Sequence, residues 1–116
     1  MSIERLHVGP RMSEVAIHNG VVYLAGQVAR DPSQDVAGQT AQVLGAIDSL
    51  LAEAGSDKTQ ILQATIFLKT IADFPAMNSV WDKWVVAGHT PPRATVEASL
   101  ATPDYLVEVK VIAAQK

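Results

Sequence analysis

The chain contains no cysteine among its 116 residues. That absence excludes disulfides, thiolate catalysis and sulfur-ligated metal sites, and it is compatible with a reducing compartment. Clustered positive charge is missing too: the nine Lys and Arg residues are all isolated in the sequence, and twelve Asp and Glu residues leave a formal net charge of −3. Proteins that hold phosphate polymers draw on grouped cations, so neither nucleic acid nor an anionic membrane surface is an expected partner. No apolar run approaches the ~18 residues that a membrane span needs, and the stretch from Met1 to His7 lacks an apolar signal core, so a cytoplasmic location is expected. The glycines fall into no dinucleotide-binding or phosphate-loop pattern, and no Gly-x-Ser-x-Gly elbow is present. His7, His18 and His89 stand far apart without ligand spacing, so neither a metal nor an organic cofactor is expected.

What is present fits one small domain over residues 1–116 with a single two-layer core. Hydrophobic residues make up 48% and charged residues 18%. This excludes a disordered chain and leans apolar for so small a monomer, which hints at a buried interface.

Read in order, Gly9-Pro10 breaks whatever precedes it, and little can be read before Arg11. Ser13 to His18 alternates as a strand, Asn19-Gly20 marks a type I′ turn, and Val21 to Val28 returns as the second strand. That register sets Ser13 against Gly26 and Met12 against Gln27. A glycine inside a strand marks either a bulge or a close approach of ligand or backbone, and Gly26 is open to both readings. From Val36 to Ala54 apolar residues recur at helical spacing, with Asp35 as N-cap and Gly55 as the stop. Ser56 to Gln60 connects, and Ile61 to Lys69 reads as a central strand. Asp73 is expected to cap a second helix, with Phe74, Met77, Val80, Trp81, Trp84 and Val85 as its inner stripe and Gly88 as its end. Asn78 lies beside that stripe, either as a buried amide in need of partners or as a surface asparagine.

The C-terminal part reads as a hairpin. Ala94, Val96, Ala98 and Leu100 alternate with Arg93, Thr95, Glu97 and Ser99, and Val107, Val109 and Val111 alternate with Glu108 and Lys110. A turn centred on Thr102 and Pro103 would set Glu108 opposite Glu97 and Lys110 opposite Thr95, gathering Arg93, Thr95, Glu97, Glu108 and Lys110 on one face. A solvated outer face would account for those charges. Against it, Pro91-Pro92 delivers Arg93 from a stiff entry, and adjacent glutamates are unfavourable unless a cation or a task keeps them there. The order is thus ββαβαββ, an α+β arrangement in which two helices cover one face of a mixed four- or five-stranded sheet. Phe67 and Tyr23 fall on the uncovered face and favour its burial against another copy.

Pro91-Pro92-Arg93-Ala94-Thr95-Val96-Glu97-Ala98, followed by Val107-Glu108-Val109-Lys110-Val111-Ile112-Ala113, resembles the C-terminal signature of the YjgF/RidA family of reactive imine deaminases. Gly20 to Val28, Ala64 to Lys69 and Phe74 to Trp81 fall in that family's order and spacing, so the likeness runs from about Gly9 to Ala113. The resemblance implies a chorismate-mutase-like fold, a homotrimer with ligand clefts between neighbouring subunits, and a ligand that is a small carboxylate-bearing imine or 2-oxo acid. It implies Arg93 and Glu108 as catalytic residues, with Arg93 holding the carboxylate and Glu108 managing a water. The same resemblance sets Thr95, Gly26 and Ala25 at the wall of the substrate pocket; Asn78 is a further substrate-binding candidate, and Arg11 is either a second cation there, favouring a more anionic substrate, or an exposed arginine in the entry loop. Three positions depart from the pattern: Arg11 stands where tyrosine is familiar, Ala25 where serine precedes the glycine, and Thr95 where many members have cysteine.

The expected activity is that of a 2-iminobutanoate/2-iminopropanoate deaminase-like hydrolase acting on C=N bonds. A non-catalytic trimer binding small carboxylates in the same cleft is the alternative. A ribonuclease role fits the acidic balance poorly, and a glycosidase built on Glu97 and Glu108 lacks a long cleft.

Overall fold

The computed structural model describes residues 2–116. Six strands and two α-helices follow in the order β1 (Glu4–Val8), β2 (Ser13–His18), β3 (Val21–Leu24), α1 (Val36–Glu53), β4 (Ile61–Leu68), α2 (Phe74–Trp84), β5 (Arg93–Glu97) and β6 (Val107–Ala114). Short 3₁₀ turns precede β4 and α2.

The local signals act as their chemistry dictates. Asn19 and Gly20 both take positive φ, 53° and 77°, and close the β2–β3 hairpin in the register Val15 against Leu24. Asp35 accepts from the Gly38 backbone N–H at 2.8 Å at the start of α1, and Gly55, at φ 78°, lies just past its end. Val43, Leu44, Ile47 and Leu51 of α1 and Met77 of α2 are fully buried against Ala64, Ile66 and Leu68 of β4 and Val107, Val109 and Val111 of β6. Both helices lie on this one face. The smallest dimension of the molecule, 20 Å, is that of two layers about 10 Å deep each.

The sheet order is β1-β2-β3-β6-β4-β5, which corrects the sequence reading in two ways. First, there are six strands, because Glu4–Val8 adds an edge strand to β2. Its sequence gives little notice, since an edge strand is mostly exposed and this one turns only Leu6 toward the core. Second, β5 and β6 do not form a hairpin. The α2 crossover returns the chain parallel to β4, so β5 pairs on one side of β4, with Ala64 beside Arg93 and Ile66 beside Thr95. Nine residues then cross over the end of β4, held by Ala98 N–H to Leu68 O at 2.9 Å and Lys69 Nζ to Pro103 O at 2.7 Å. This returns β6 antiparallel on the other side of β4, between β4 and β3.

The change of topology moves side chains between faces. Arg93, Thr95 and Glu97 are in register with Ala64, Ile66 and Leu68, so they lie on the helix face. Glu108 and Lys110 are in register with Phe67 and Thr65, on the open face. Glu97 and Glu108 are therefore not neighbours, and the charges expected on a single face are divided between two. Smaller corrections follow the same pattern. Ser13 pairs with Val8 rather than Gly26, α2 ends at Trp84 so that Gly88 (φ 83°) belongs to the following turn, and Asp73 makes no side-chain cap bond.

Candidate functional site

Arg93 is set by its neighbours in sequence before anything else. The Pro92 carbonyl accepts from Ala64 N–H at 3.0 Å, which pins the entry to β5 at the edge of the sheet. From there the guanidinium lies over two rings of α2, with its carbon 5.1 Å from the Trp81 ring centre and 5.6 Å from that of Phe74. Cation–π attraction holds the side chain while leaving its N–H fork unspent. Among the described residues the Arg93 side chain has no carboxylate partner and no hydrogen bond.

Around it lie two polar atoms with the same deficit. Asn78 Oδ1 and Thr95 Oγ1 are shut off from solvent and have no hydrogen-bond partner. Asn78 stands four residues after Phe74 and three before Trp81, so amide and rings share the α2 surface that looks toward β5. An unsatisfied buried polar atom costs about 1–3 kcal/mol, and two such atoms beside an unpaired guanidinium describe a place shaped for a ligand or a partner surface. Phe74 and Trp81 had the sequence signature of a core stripe, and only the packing of β5 beneath α2 gives them a second role as the platform for Arg93.

Gly26 and Glu108 form the second cluster. The β3 strand stops at Leu24, and the chain then gains one residue relative to β6: Tyr23 pairs with Ile112, whereas Gln27 pairs with Val109 and exchanges hydrogen bonds of 2.8 and 3.1 Å with it. Ala25 and Gly26 are the bulge. A Cβ placed on Gly26 would come within 2.9 Å of the Glu108 carboxyl carbon and closer still to one oxygen, so the bare backbone is what lets the carboxylate lie there. Gly26 is thus part of a bulge, and the group that comes close to it is the Glu108 side chain rather than a ligand or another backbone. Ala25 donates its N–H to Glu14 O and its carbonyl accepts from Gln27 Nε2, so it contributes backbone to the same corner. Glu108 accepts no hydrogen bond from the described residues and is half-exposed.

Gly26→Ala is thus expected to displace the Glu108 carboxylate. Because that carboxylate is the free end of a flexible side chain, the melting temperature should barely change while any Glu108-dependent turnover falls sharply. Parallel thermal melts and rate measurements check both halves of the expectation.

Within one chain the two clusters do not meet. Arg93 sits on the edge strand facing the helices, and Glu108 sits two strands away, about 10 Å laterally, facing the open side. Arg11 lies in the exposed turn between β1 and β2, across the sheet from β5, and has no ion-pair partner among the described residues. Glu97 is occupied elsewhere, accepting from the Ile71 N–H at 2.8 Å. No group of three or more metal-ligating side chains is found among the described residues, and none of their helices is long and apolar enough to cross a membrane.

Residues 3–115 match the family model described as endoribonuclease L-PSP. A RutC family protein from Haemophilus ducreyi is 50% identical over 112 residues, spanning 97% of this chain and 96% of its own. The RutC family protein YoaB of Escherichia coli is 49% identical over 114 residues, covering 98% and 99%. Among solved structures, a member of the YjgF protein family from Neisseria meningitidis superimposes with a TM-score of 0.97 at 46% identity, over 100% of this chain and 97% of that one.

Proposed function

The chain belongs to the YjgF/RidA family, and on that premise we propose that it hydrolyses reactive imines of amino acids to 2-oxo acids and ammonia in clefts built between copies of itself. The observation that carries this reading is the division of labour between the two clusters. An unpaired guanidinium on an aromatic platform and an unengaged carboxylate on a bare glycine backbone are the two groups the reaction needs. They face opposite sides of one sheet, so a cleft that uses both takes Arg93 from one copy and Glu108 from the next.

The reaction consumes only water. Arg93 grips the substrate carboxylate with two parallel N–H bonds, which fixes the neighbouring C=N carbon. Thr95 Oγ1 and Asn78 Oδ1 complete the first half of the cleft, and the Ala25–Gly26 backbone lines the second. Glu108 accepts a proton from the attacking water as the new C–O bond forms. Glu108 passes that proton to the imine nitrogen, giving the carbinolamine, and then relays the carbinolamine's hydroxyl proton to the nitrogen as the C–N bond breaks and the C=O bond forms, so that the 2-oxo acid and ammonia leave.

The β5 strand supports assembly from a different direction. Its apolar residues Ala94 and Val96 point away from the helices while its polar ones point toward them, the reverse of a strand at the edge of a monomer core. Val96 and Tyr23 of the open face are 42% and 46% exposed. A trimer packed by its open faces would cover them, and the expected mass is about three times the 12.4 kDa of the chain. Sedimentation equilibrium checks this, and a monomer at micromolar concentration would remove the shared cleft.

The family description also raises RNA cleavage. A net charge of −3 with isolated cations offers no track for a phosphate backbone. Oxo-acid and ammonia release from freshly generated 2-iminopropanoate, assayed beside degradation of a labelled RNA, distinguishes the two. Turnover of the imine without RNA cleavage is expected; carboxylate binding without turnover would leave a binding protein instead.

A further inference from the structure

Gln39 of α1 is completely buried, 0% exposed, on the same stripe as Val36, Thr40 and Val43. An amide in such a place is costly unless both of its ends are bonded. Both are. Nε2 donates to the carbonyls of Pro32 at 3.1 Å, Gln34 at 3.0 Å and Asp104 at 3.0 Å, and Oε1 accepts from the Leu106 N–H at 2.9 Å. The two amide protons serve three carbonyls, so one proton is shared, and only this orientation of the amide matches three acceptors and one donor.

None of these partners belongs to α1. Pro32 and Gln34 lie in the segment that leads from the Gly26 bulge to the helix, and Asp104 and Leu106 lie in the crossover that ends at β6. The meeting of those two segments makes the corner that holds Glu108. Leu106 stands two residues before Glu108 and has both backbone groups fixed, its N–H by Gln39 and its carbonyl by the Lys69 N–H at 3.1 Å. Just after Glu108, the Gln27–Val109 backbone pair joins the same two segments again. Gln42, further along α1, exchanges bonds of 2.9 and 3.0 Å with the Asp31 backbone, so it holds the first segment without touching the second. With no side-chain hydrogen bond of its own among the described residues, Glu108 takes its place from the backbone on either side and from the bare surface of Gly26.

We propose that Gln39 is a positioning residue for Glu108: one buried amide fixes the start of β6 against the segment that follows Gly26, and so holds the carboxylate over the glycine. Its effect on rate rests on the deaminase reading, whereas its effect on the geometry of Glu108 rests on the hydrogen bonds alone. None of Gln39's four partners belongs to the cluster around Arg93, so carboxylate binding does not depend on it.

The test compares Gln39→Met, which keeps the length and loses the bonds, with Gln39→Asn, a milder change that keeps an amide too short to reach both segments. Gln42→Ala is the comparator that loosens only the first segment. At a temperature where melts show the variants folded, single-turnover formation of 2-oxo acid from 2-iminopropanoate should fall about tenfold or more in both Gln39 variants, since a misplacement of about 1 Å can cost about 10²-fold. Pyruvate affinity should stay that of wild type, and Gln42→Ala should keep both rate and affinity. Gln39→Met added to Glu108→Gln should slow that variant hardly further, because a residue acting through Glu108 then has nothing left to position. Undiminished turnover in the Gln39 variants, equal slowing in the Glu108→Gln background, or pyruvate binding lost along with the rate overturns the proposal. By NMR, the Gly26 and Glu108 backbone amide resonances should move in Gln39→Asn while the Asn78 side-chain amide stays in place. Absence of turnover in wild type would remove the deaminase reading and leave this shift to decide the role of Gln39, which unmoved Gly26 and Glu108 resonances overturn in either case.

Discussion

Arg93→Ala is expected to weaken carboxylate binding by about 2–5 kcal/mol, the range for removing one partner of a desolvated charge-assisted contact. Arg93→Lys should fail nearly as badly, because a lysine ammonium cannot offer two parallel bonds and does not stack on Trp81 and Phe74 as a planar guanidinium does. The Trp81 ring, 5.1 Å from the guanidinium, provides the readout, since its fluorescence should respond to pyruvate in wild type and hardly at all in either variant. A pyruvate affinity unchanged by Arg93→Ala would dismiss the assignment.

Glu108→Gln should reduce single-turnover formation of the 2-oxo acid by about 10²- to 10⁴-fold while pyruvate affinity stays near that of wild type. The substitution keeps the shape over Gly26 and removes the charge and the proton exchange. Glu97→Gln is a sharper control than the sequence alone suggested. Its carboxylate bonds the Ile71 backbone at the start of the turn before α2, so it should affect stability rather than the rate. Undiminished turnover in Glu108→Gln, or a loss confined to Glu97→Gln, would move the role off Glu108.

The parts of this structure that could be read from sequence are the parts fixed by neighbours along the chain. Asn19-Gly20 needs nothing beyond its own φ angles, and Asp35 and Gly55 bound α1 through local caps. The pairing of β5 and β6 was not legible for the opposite reason. Arg93–Glu97 and Val107–Ala114 alternate as a hairpin would, and nothing in a period of two records that β4, from about forty residues earlier, lies between them. Nor does alternation say which set faces inward. Val96 and Ala94 form the apolar set of the alternation and proved to be the exposed one, because β5 turns Arg93, Thr95 and Glu97 toward the helices.

The residues of the candidate site drew attention in the sequence, and their placement in the fold did not follow from it. Asn78 drew attention as a polar residue beside an apolar stripe, and Gly26 as a glycine inside a strand, and both signals were physical ones. That Arg93 and Glu108 lie on opposite faces is a matter of topology, and under the proposed function it requires a cleft using both to be completed by a neighbour. Arg11, exposed and unpaired in the β1–β2 turn, is on the far side of the sheet from Arg93, so the two cations do not share a site within one chain.

Complementation between two inactive variants tests the shared cleft most directly. Arg93→Ala and Glu108→Gln subunits, unfolded together in equal amounts and refolded, form mixed oligomers in which a cleft is intact only when its Arg93 comes from a Glu108→Gln subunit and its Glu108 from an Arg93→Ala subunit. Random assembly gives each condition a probability of one half, so about one quarter of wild-type turnover should return. Mixed oligomers no more active than either parent would show that Arg93 and Glu108 do not meet across subunits.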